Sequence, residues 1–438
     1  MSAMGVDATR ERASRFTYVG LDVEKTSLVG HYQLDEHEFS ERVVFENIDS
    51  FERVGVNSLA QIWYLLAGLS YYKAGAAREV DFAQTHLDER GEALIRASFL
   101  HGLGEYAYRN NLDLSDVKFT GGRRAQWRAP VGARLDSDRV LIPFGGGIDS
   151  VVTVESLSAN LDRALFVVSP ASGRFAPLEA TAAVSGLEVV RATRTLDPRI
   201  VDANDAFFQG HVPVSAIITL LASIAAASSG RGGVVMSNEH SASVDNLVWH
   251  GHGVNHQWSK SFAAEVAIGE AIGEQFGDRL RVASFLRDRS ELWVAKTFSS
   301  LTQYHHVFRS CNRAFRQNVD ERPLTWCGEC DKCLFINLVL APFISRANLR
   351  EIFHSEPLAD PALAGALATL VGVGLDHKPF ECVGDPDECA SALVNVAAQP
   401  EWHDVAHLAA IASTLSPPPL RALLEPLGES RVPAHWLR

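Results

Sequence analysis

The run Gly145-Gly146-Gly147-Ile148-Asp149-Ser150 sets three glycines beside a carboxylate and a hydroxyl. This combination suits a loop that wraps an anion. Glycines let backbone N–H groups come close to a phosphate and adopt positive φ at little cost. A helix starting there adds unpaired N–H groups and the positive end of its dipole. Asp149 and Ser150 can cap such a helix, or serve a Mg²⁺ ion and a phosphate oxygen. No Gly-Lys-Ser/Thr follows, which excludes a Walker A loop, and the contiguous glycines do not fit the dinucleotide fingerprint. An ordinary glycine turn capped by Asp149 is the alternative.

A second constellation is sulfur. Cys327, Cys330 and Cys333 form two overlapping Cys-X-X-Cys units, and Cys311 precedes them by sixteen positions. Four thiolates so close in sequence match a closed structural zinc site, with Cys311 looping back as fourth ligand. A redox-active pair, or unligated thiols on a helix beginning near Asp331, are the other readings. Cys382 and Cys389 lie too far away in sequence to assign. Arg309, Arg313 and Arg316 flank Cys311 and either steer phosphates or form a solvated face. Candidates for moving a proton are Glu239, His256 and Lys260. Each has a plainer role open to it: a helix cap or metal ligand, a buried hydrogen-bonded ring, and a phosphate counter-ion. Lys378 and Glu381 flank the Pro-Phe pair beside Cys382 and either meet a substrate or lie at the surface.

Positioning these residues calls for alternating strands and helices. Apolar runs predict strands at 139–144, 164–168, 187–192 and 233–237, with helices at 149–159, 175–185 and 212–228 between them. Such alternation implies a parallel sheet covered on both faces, with ligands at the carboxyl ends of the strands. The glycine run lies at one such end and Glu239 at another. Upstream, period-two runs within 16–47 predict a small antiparallel sheet, and helical spacing covers 57–73 and 92–109, the first capped by Asn57 or Ser58. Residues 121–138 read as a link. From 346 onward the chain is helical and loop-rich.

Composition narrows the class. At 438 residues, 47% hydrophobic and 21% charged, the chain has ample material for a core and two or three domains. A net charge of −13 argues against nucleic acid held by a broad basic face. The longest apolar stretch, 212–227, holds Pro213, Ser215, Thr219 and Ser223 and falls short of the roughly 20 residues that span a bilayer. No membrane association is expected. Six cysteines in a chain this long are no disulfide scaffold, so a reducing cytoplasm is the expected compartment.

The glycine loop resembles the pyrophosphate loop of the ATP pyrophosphatases, Ser-Gly-Gly-X-Asp-Ser, with Gly145 standing in place of the serine. Together with the four cysteines it is similar to the pairing in 7-cyano-7-deazaguanine synthases. A resemblance through nearly the whole chain, from Phe16 to Gly384, is to the UDP-N-acetylmuramoyl-L-alanyl-L-glutamate epimerases. It is carried by Ala67-Gly68-Leu69-Ser70-Tyr71-Tyr72-Lys73, the glycine run, Gly210-His211-Val212-Pro213-Val214 and Met236-Ser237-Asn238-Glu239. Further on come Asn255-His256-Gln257-Trp258-Ser259-Lys260-Ser261, Glu291-Leu292-Trp293-Val294, Phe308-Arg309-Ser310-Cys311-Asn312-Arg313 and the cysteine cluster. His240 departs from the tryptophan expected in that family.

The resemblance implies an ATP pyrophosphatase-like α/β core, which the strand–helix alternation bounds at 135–345; the N-terminal α+β domain at 1–134 is left for UDP-sugar or peptide recognition by elimination alone, and 346–438 form a helical region. It implies ATP- and Mg²⁺-dependent inversion of the terminal L-glutamate of a UDP-linked muropeptide through an acyl adenylate. Gly145, Gly146, Gly147, Ser150, Arg309 and Arg313 would then meet the phosphates, with Asp149 on Mg²⁺. Cys311, Cys327, Cys330 and Cys333 would hold Zn²⁺. Glu239, His256 and Lys260 would be the proton-transfer candidates. Another ATP-dependent carboxylate-activating synthetase, or a non-catalytic zinc-stabilised nucleotide-binding module, are the competing functions.

Overall fold

The computed structural model describes residues 10–48, 51, 56–124, 134–201, 206–315, 322, 323, 325–374 and 378–437. Three antiparallel strands come first: β1 (Arg15–Val23), β2 (Ser27–Leu34) and β3 (His37–Glu46). Their inward positions, among them Phe16, Tyr18, Tyr32, Phe39 and Val43, are fully buried, as alternation along a pleated strand requires. Helix α1 (Val56–Ala67) covers them. Buried tyrosines fill the space and spend their hydroxyls on backbone carbonyls, Tyr18 on Leu65 at 2.7 Å and Tyr32 on Tyr64 at 3.0 Å. Asn57 and Ser58 do not cap α1. Both lie inside it, because Val56 is already helical.

The helix expected over 92–109 is interrupted. It comprises α2 (Glu89–Ala97), a π-helical turn at Ser98–Gly102 and α3 (Gly104–Arg109). The wider turn resets the side-chain phase just ahead of Glu105. Short strands β4 (Glu79–Asp81) and β5 (Lys118–Thr120) extend the sheet beyond β1. Of the stretch read as a link, 125–133 lie outside the described residues, and Asp136, Ser137 and Asp138 already belong to the next strand.

The α/β alternation follows as expected. Strands β6 (Asp136–Pro143), β7 (Asp162–Pro170), β8 (Glu188–Thr195), β9 (Arg231–Met236) and β10 (Arg281–Ser284) pair in parallel. Between them lie α4 (Ile148–Ser156), α5 (Ala176–Ser185), α6 (Val214–Ser228) and α7 (Phe262–Phe276). The ten strands form one sheet in the order β10-β9-β6-β7-β8-β3-β2-β1-β4-β5. The molecule is thus a mixed α/β fold on a mostly parallel sheet. The antiparallel strands do not stand apart, because β3 hydrogen-bonds to β8 with Glu46 opposite Arg191.

Both faces of the parallel half are covered. Along β6, Val140 and Ile142 face one core while Leu141 faces the other; along β9, Val235 and Val234 divide the same way. One core contains α1, α6 and α7. The other contains α4, α8 (Glu291–Ser299), α9 (Asp331–Leu340), α10 (Pro386–Ala397) and Trp436. The apolar runs Val140-Leu141-Ile142 in β6 and Ala164-Leu165-Phe166-Val167-Val168 in β7 are the sequence correlate of this double burial. Among the described residues, no helix is long and apolar enough to cross a membrane.

Candidate active site

The chain lays down β6, β7 and β8 in one direction, then returns to place β9 and β10 on the other side of β6. The strand order therefore reverses between β6 and β9, and open α/β sheets bind ligands in the crevice at that point. A cleft of about 770 Å³ lies there, walled by the carboxyl ends of β6, β7, β8 and β9. Gly145 and Gly147 line it directly after β6, and Asn238 directly after β9.

The glycine run forms a turn that other residues cannot copy. Gly146 has φ +75°, in the left-handed region. A Cβ on Gly147 would come within 2.6 Å of the Ser310 hydroxyl, and Arg309 N–H donates to Gly146 O at 3.2 Å. The turn is thus clasped by residues 309–310. Gly147 itself is the N-cap of α4, and no side chain caps that helix. Its first N–H groups and its dipole remain for an anion. Ser150 Oγ donates to Gly147 O at 3.1 Å and lines the cleft, as do Arg309 and Ser310.

Beneath the turn lie three carboxylates. Oxygens of Asp149, Glu239 and Glu291 fall within 4.8 Å of one another. Asp149 Oδ1 and Glu291 Oε2 are buried, with no hydrogen-bond partner among the described residues. Burial, then repulsion from Glu239, pushes Asp149 up to about 6. Burial and Asp149 together hold Glu291 well above the carboxylate range. Lys260 and Lys332 reach the cleft and offset part of this charge. Burial alone would lower Lys260, but Cys382, Glu239 and Asp149 outweigh it and hold the ammonium above its ordinary range. An all-oxygen trio with unsatisfied buried atoms fits a hard divalent cation.

On another wall, Cys382 faces the cleft. Its Sγ lies 3.6 Å from Lys260 Nζ and 3.8 Å from His256 Nε2. The opposite ring nitrogen of His256 bonds to Glu105, presented by α3. The loop carrying Cys382 is fastened by Asn246 Nδ2 on Pro379 O at 2.9 Å and by Gln257 Nε2 on Val383 O at 3.3 Å. Arg287, 1% exposed, donates to Glu239 O at 3.0 Å and to Lys260 O at 2.7 Å while paired with Glu265 at 2.9 Å. One buried guanidinium thereby fixes both cleft segments.

The four cysteines converge behind the turn, their sulfurs all within 4.8 Å of one another. Cys327 and Cys333 sulfurs are 3.6 Å apart. Zinc–sulfur bonds of about 2.3 Å in a tetrahedron require about 3.8 Å, so the set fits zinc. Cys330 caps α9, accepting from Cys333 N at 3.4 Å. Zinc bound there would tie the segment that clasps the glycine turn to the helix start that bears Lys332.

Family models for the MurL N-terminal domain and the MurL C-terminal domain match residues 6–285 and 307–422. The chain belongs to the MurL family. It is 39% identical over 366 residues to a UDP-N-acetyl-alpha-D-muramoyl-L-alanyl-L-glutamate epimerase of Salinispora tropica, covering 83% of this chain and 78% of that one. A relative of the same name from Micromonospora sp. is 41% identical over 348 residues, 78% and 76% of the two chains. A third, from Xanthomonas oryzae pv. oryzae, is 37% identical over 395 residues, 87% and 86% of the two chains. No solved structure matches the chain.

In this MurL-family chain, Gly145, Gly147, Asp149, Ser150, Lys260 and Arg309 all line one cleft, and Glu239 joins Asp149 just below it. His256 is set back behind Cys382 rather than on the wall. Arg313 is not among the lining residues and pairs with Glu329 at 2.7 Å. Arg316 lies outside the described residues. His240 follows Glu239, its backbone N–H donating to Arg289 O at 2.9 Å, and Gly428 approaches its ring. Sequence reasoning did not single out Glu105, Arg287, Glu291, Ser310, Lys332 or Cys382 as site residues. Glu291, Ser310, Lys332 and Cys382 sat inside segments carrying the family resemblance, which was the one available signal.

Proposed function

We propose that the protein inverts the terminal L-glutamate of UDP-N-acetylmuramoyl-L-alanyl-L-glutamate to D-glutamate, using ATP to activate the glutamate carboxylate as an acyl adenylate. The family membership supports the epimerisation. The uncapped α4 start behind the glycine turn, at the sheet's reversal point, carries the ATP reading. The Cα–H of a carboxylate is a very poor acid, since its loss gives a dianionic enediolate. Attack of that carboxylate on the α-phosphorus of ATP yields pyrophosphate and an adenylate whose enolate has one negative charge fewer. A base can then remove the proton, and a proton added on the other face inverts the centre. Hydrolysis of the adenylate frees AMP and product.

In this reading Gly145, Gly146, Gly147, Ser150 and Arg309 hold the departing pyrophosphate. Asp149, Glu239 and Glu291 would hold Mg²⁺, which when bound neutralises phosphate charge. Lys260 and Lys332 steady the anions in the cleft. The test is incubation with ATP, Mg²⁺ and the UDP-linked L-Ala-L-Glu substrate in deuterated water. AMP, pyrophosphate, D-glutamate and deuterium at Cα are expected in step. D-Glutamate formed without AMP would overturn the adenylate, and its absence would overturn the epimerisation.

A further inference from the structure

The reading above leaves open which group moves the proton, and the cleft contains a constellation that answers it. Glu105, His256 and Cys382 run in a line from α3 into the cleft and come from segments far apart in the chain. Glu105 is 5% exposed and bonds Nδ1 of His256, which leaves Nε2 turned toward the Cys382 sulfur. Lys260 adds a cation 3.6 Å from the same sulfur.

Other cleft groups are poorly placed for this task. Asp149 is engaged in the carboxylate trio. Lys260 is held as an ammonium and has no lone pair to offer. His256 does not line the wall. Cys389 is buried in α10, where burial pushes its thiol up. Among the described cleft groups, Cys382 combines access to the cleft with a hydrogen-bonding imidazole and an ammonium at its back.

We propose that Cys382 is the catalytic base that removes the Cα proton from the activated glutamate, with His256 and Glu105 as positioning residues. This rests on the epimerase reading. In the step the Cα–H bond breaks, an S–H bond forms, and the carbon's electron pair moves onto the acyl oxygen as the enolate. The thiol then passes its proton to solvent, and a solvent-derived proton added to the opposite face completes the inversion.

The electrostatics agree. Burial would raise the Cys382 thiol, but Lys260 and the hydrogen bond from His256 outweigh it and bring it down to about 6. Burial would lower His256, but Cys382 and Glu105 push it up to about 9. Lys332 also favours the thiolate, while Asp149 and Glu381 oppose it. His211, its ring tilted at 42° with its centroid 4.4 Å from that of His256, is lowered to about 3 by burial and by His256, so it stays neutral. A depressed thiol is charged above its folded value and a raised imidazole below its own. The pair is therefore thiolate–imidazolium between about pH 6 and about pH 9.

Two measurements test the proposal. In the first, iodoacetamide labelling of the Cys382 peptide in the intact protein is followed from about pH 5 to about pH 9. The expected midpoint is near 6, moving toward the ordinary thiol value of about 8.5 in His256→Gln. An unshifted midpoint near 8.5 in the wild-type protein would overturn the proposal. In the second, Cys382→Ala is expected to slow L-to-D conversion and deuterium wash-in by more than about 100-fold, far more than it slows pyrophosphate release. Conversion kept within about tenfold of wild type would also overturn it. If Cys382→Ala loses both activities, the labelling midpoint decides. Wild-type protein that forms no D-glutamate would overturn the epimerase reading itself, a result distinct from either.

Discussion

Gly146 shows how much a single backbone angle carries. Its left-handed φ shapes the turn, and a side chain there is strained by about 1–2 kcal/mol. Gly146→Ala is expected to lower stability by about that amount in urea unfolding while abolishing pyrophosphate release. Release at the wild-type rate would take the phosphates out of this turn. Such local signals were legible, because a glycine run between a strand and a helix needs no knowledge of the rest of the chain. Asp149, Glu239 and Lys260 were found the same way, beside short motifs at element ends. Cys382 was not, since what marks it is its company: Lys260 and His256 lie over a hundred positions upstream. Arg287 likewise resembles any surface arginine until its two carbonyl partners are seen.

Among the elements, the junction between β3 and β8 joins the antiparallel strands to the parallel ones. It is bolted by Arg194 and the fully buried Glu41, at 2.7 Å with a second bond at 3.0 Å. Removing one partner leaves a buried charge uncompensated. Glu41→Ala is therefore expected to cost about 3–5 kcal/mol in urea unfolding. A cost below about 1 kcal/mol would mean that water reaches Arg194 and the junction is loose. The strands expected at 139–144, 164–168, 187–192 and 233–237 lie within a few residues of those observed, because their spacing is local, whereas β4, β5, β10 and α7 were not expected. The joining of the strands was not legible either. Pairing of Glu46 with Arg191 is a long-range event that leaves no trace in either strand's pattern. The π-helical turn before Glu105 was equally hidden, since its sequence continues an ordinary helical spacing.

For the whole molecule, we propose that zinc on the four cysteines would hold the cleft in shape, joining Arg309 and Ser310 on one side to Lys332 on the other. Purified protein is expected to contain about one zinc per chain, by elemental analysis. Cys330→Ser should lose it and lose pyrophosphate release with it. Full activity in metal-free protein would reduce the cluster to a bystander. The continuous ten-stranded sheet has another consequence, for how the chain is made. When β3 leaves the ribosome its outer edge has donors and acceptors with no strand to meet them, and β8 is translated well over a hundred residues later. Until then the nascent amino-terminal part carries an open seam able to zip onto a neighbouring nascent chain, so slow translation of the intervening stretch would promote clumping rather than relieve it.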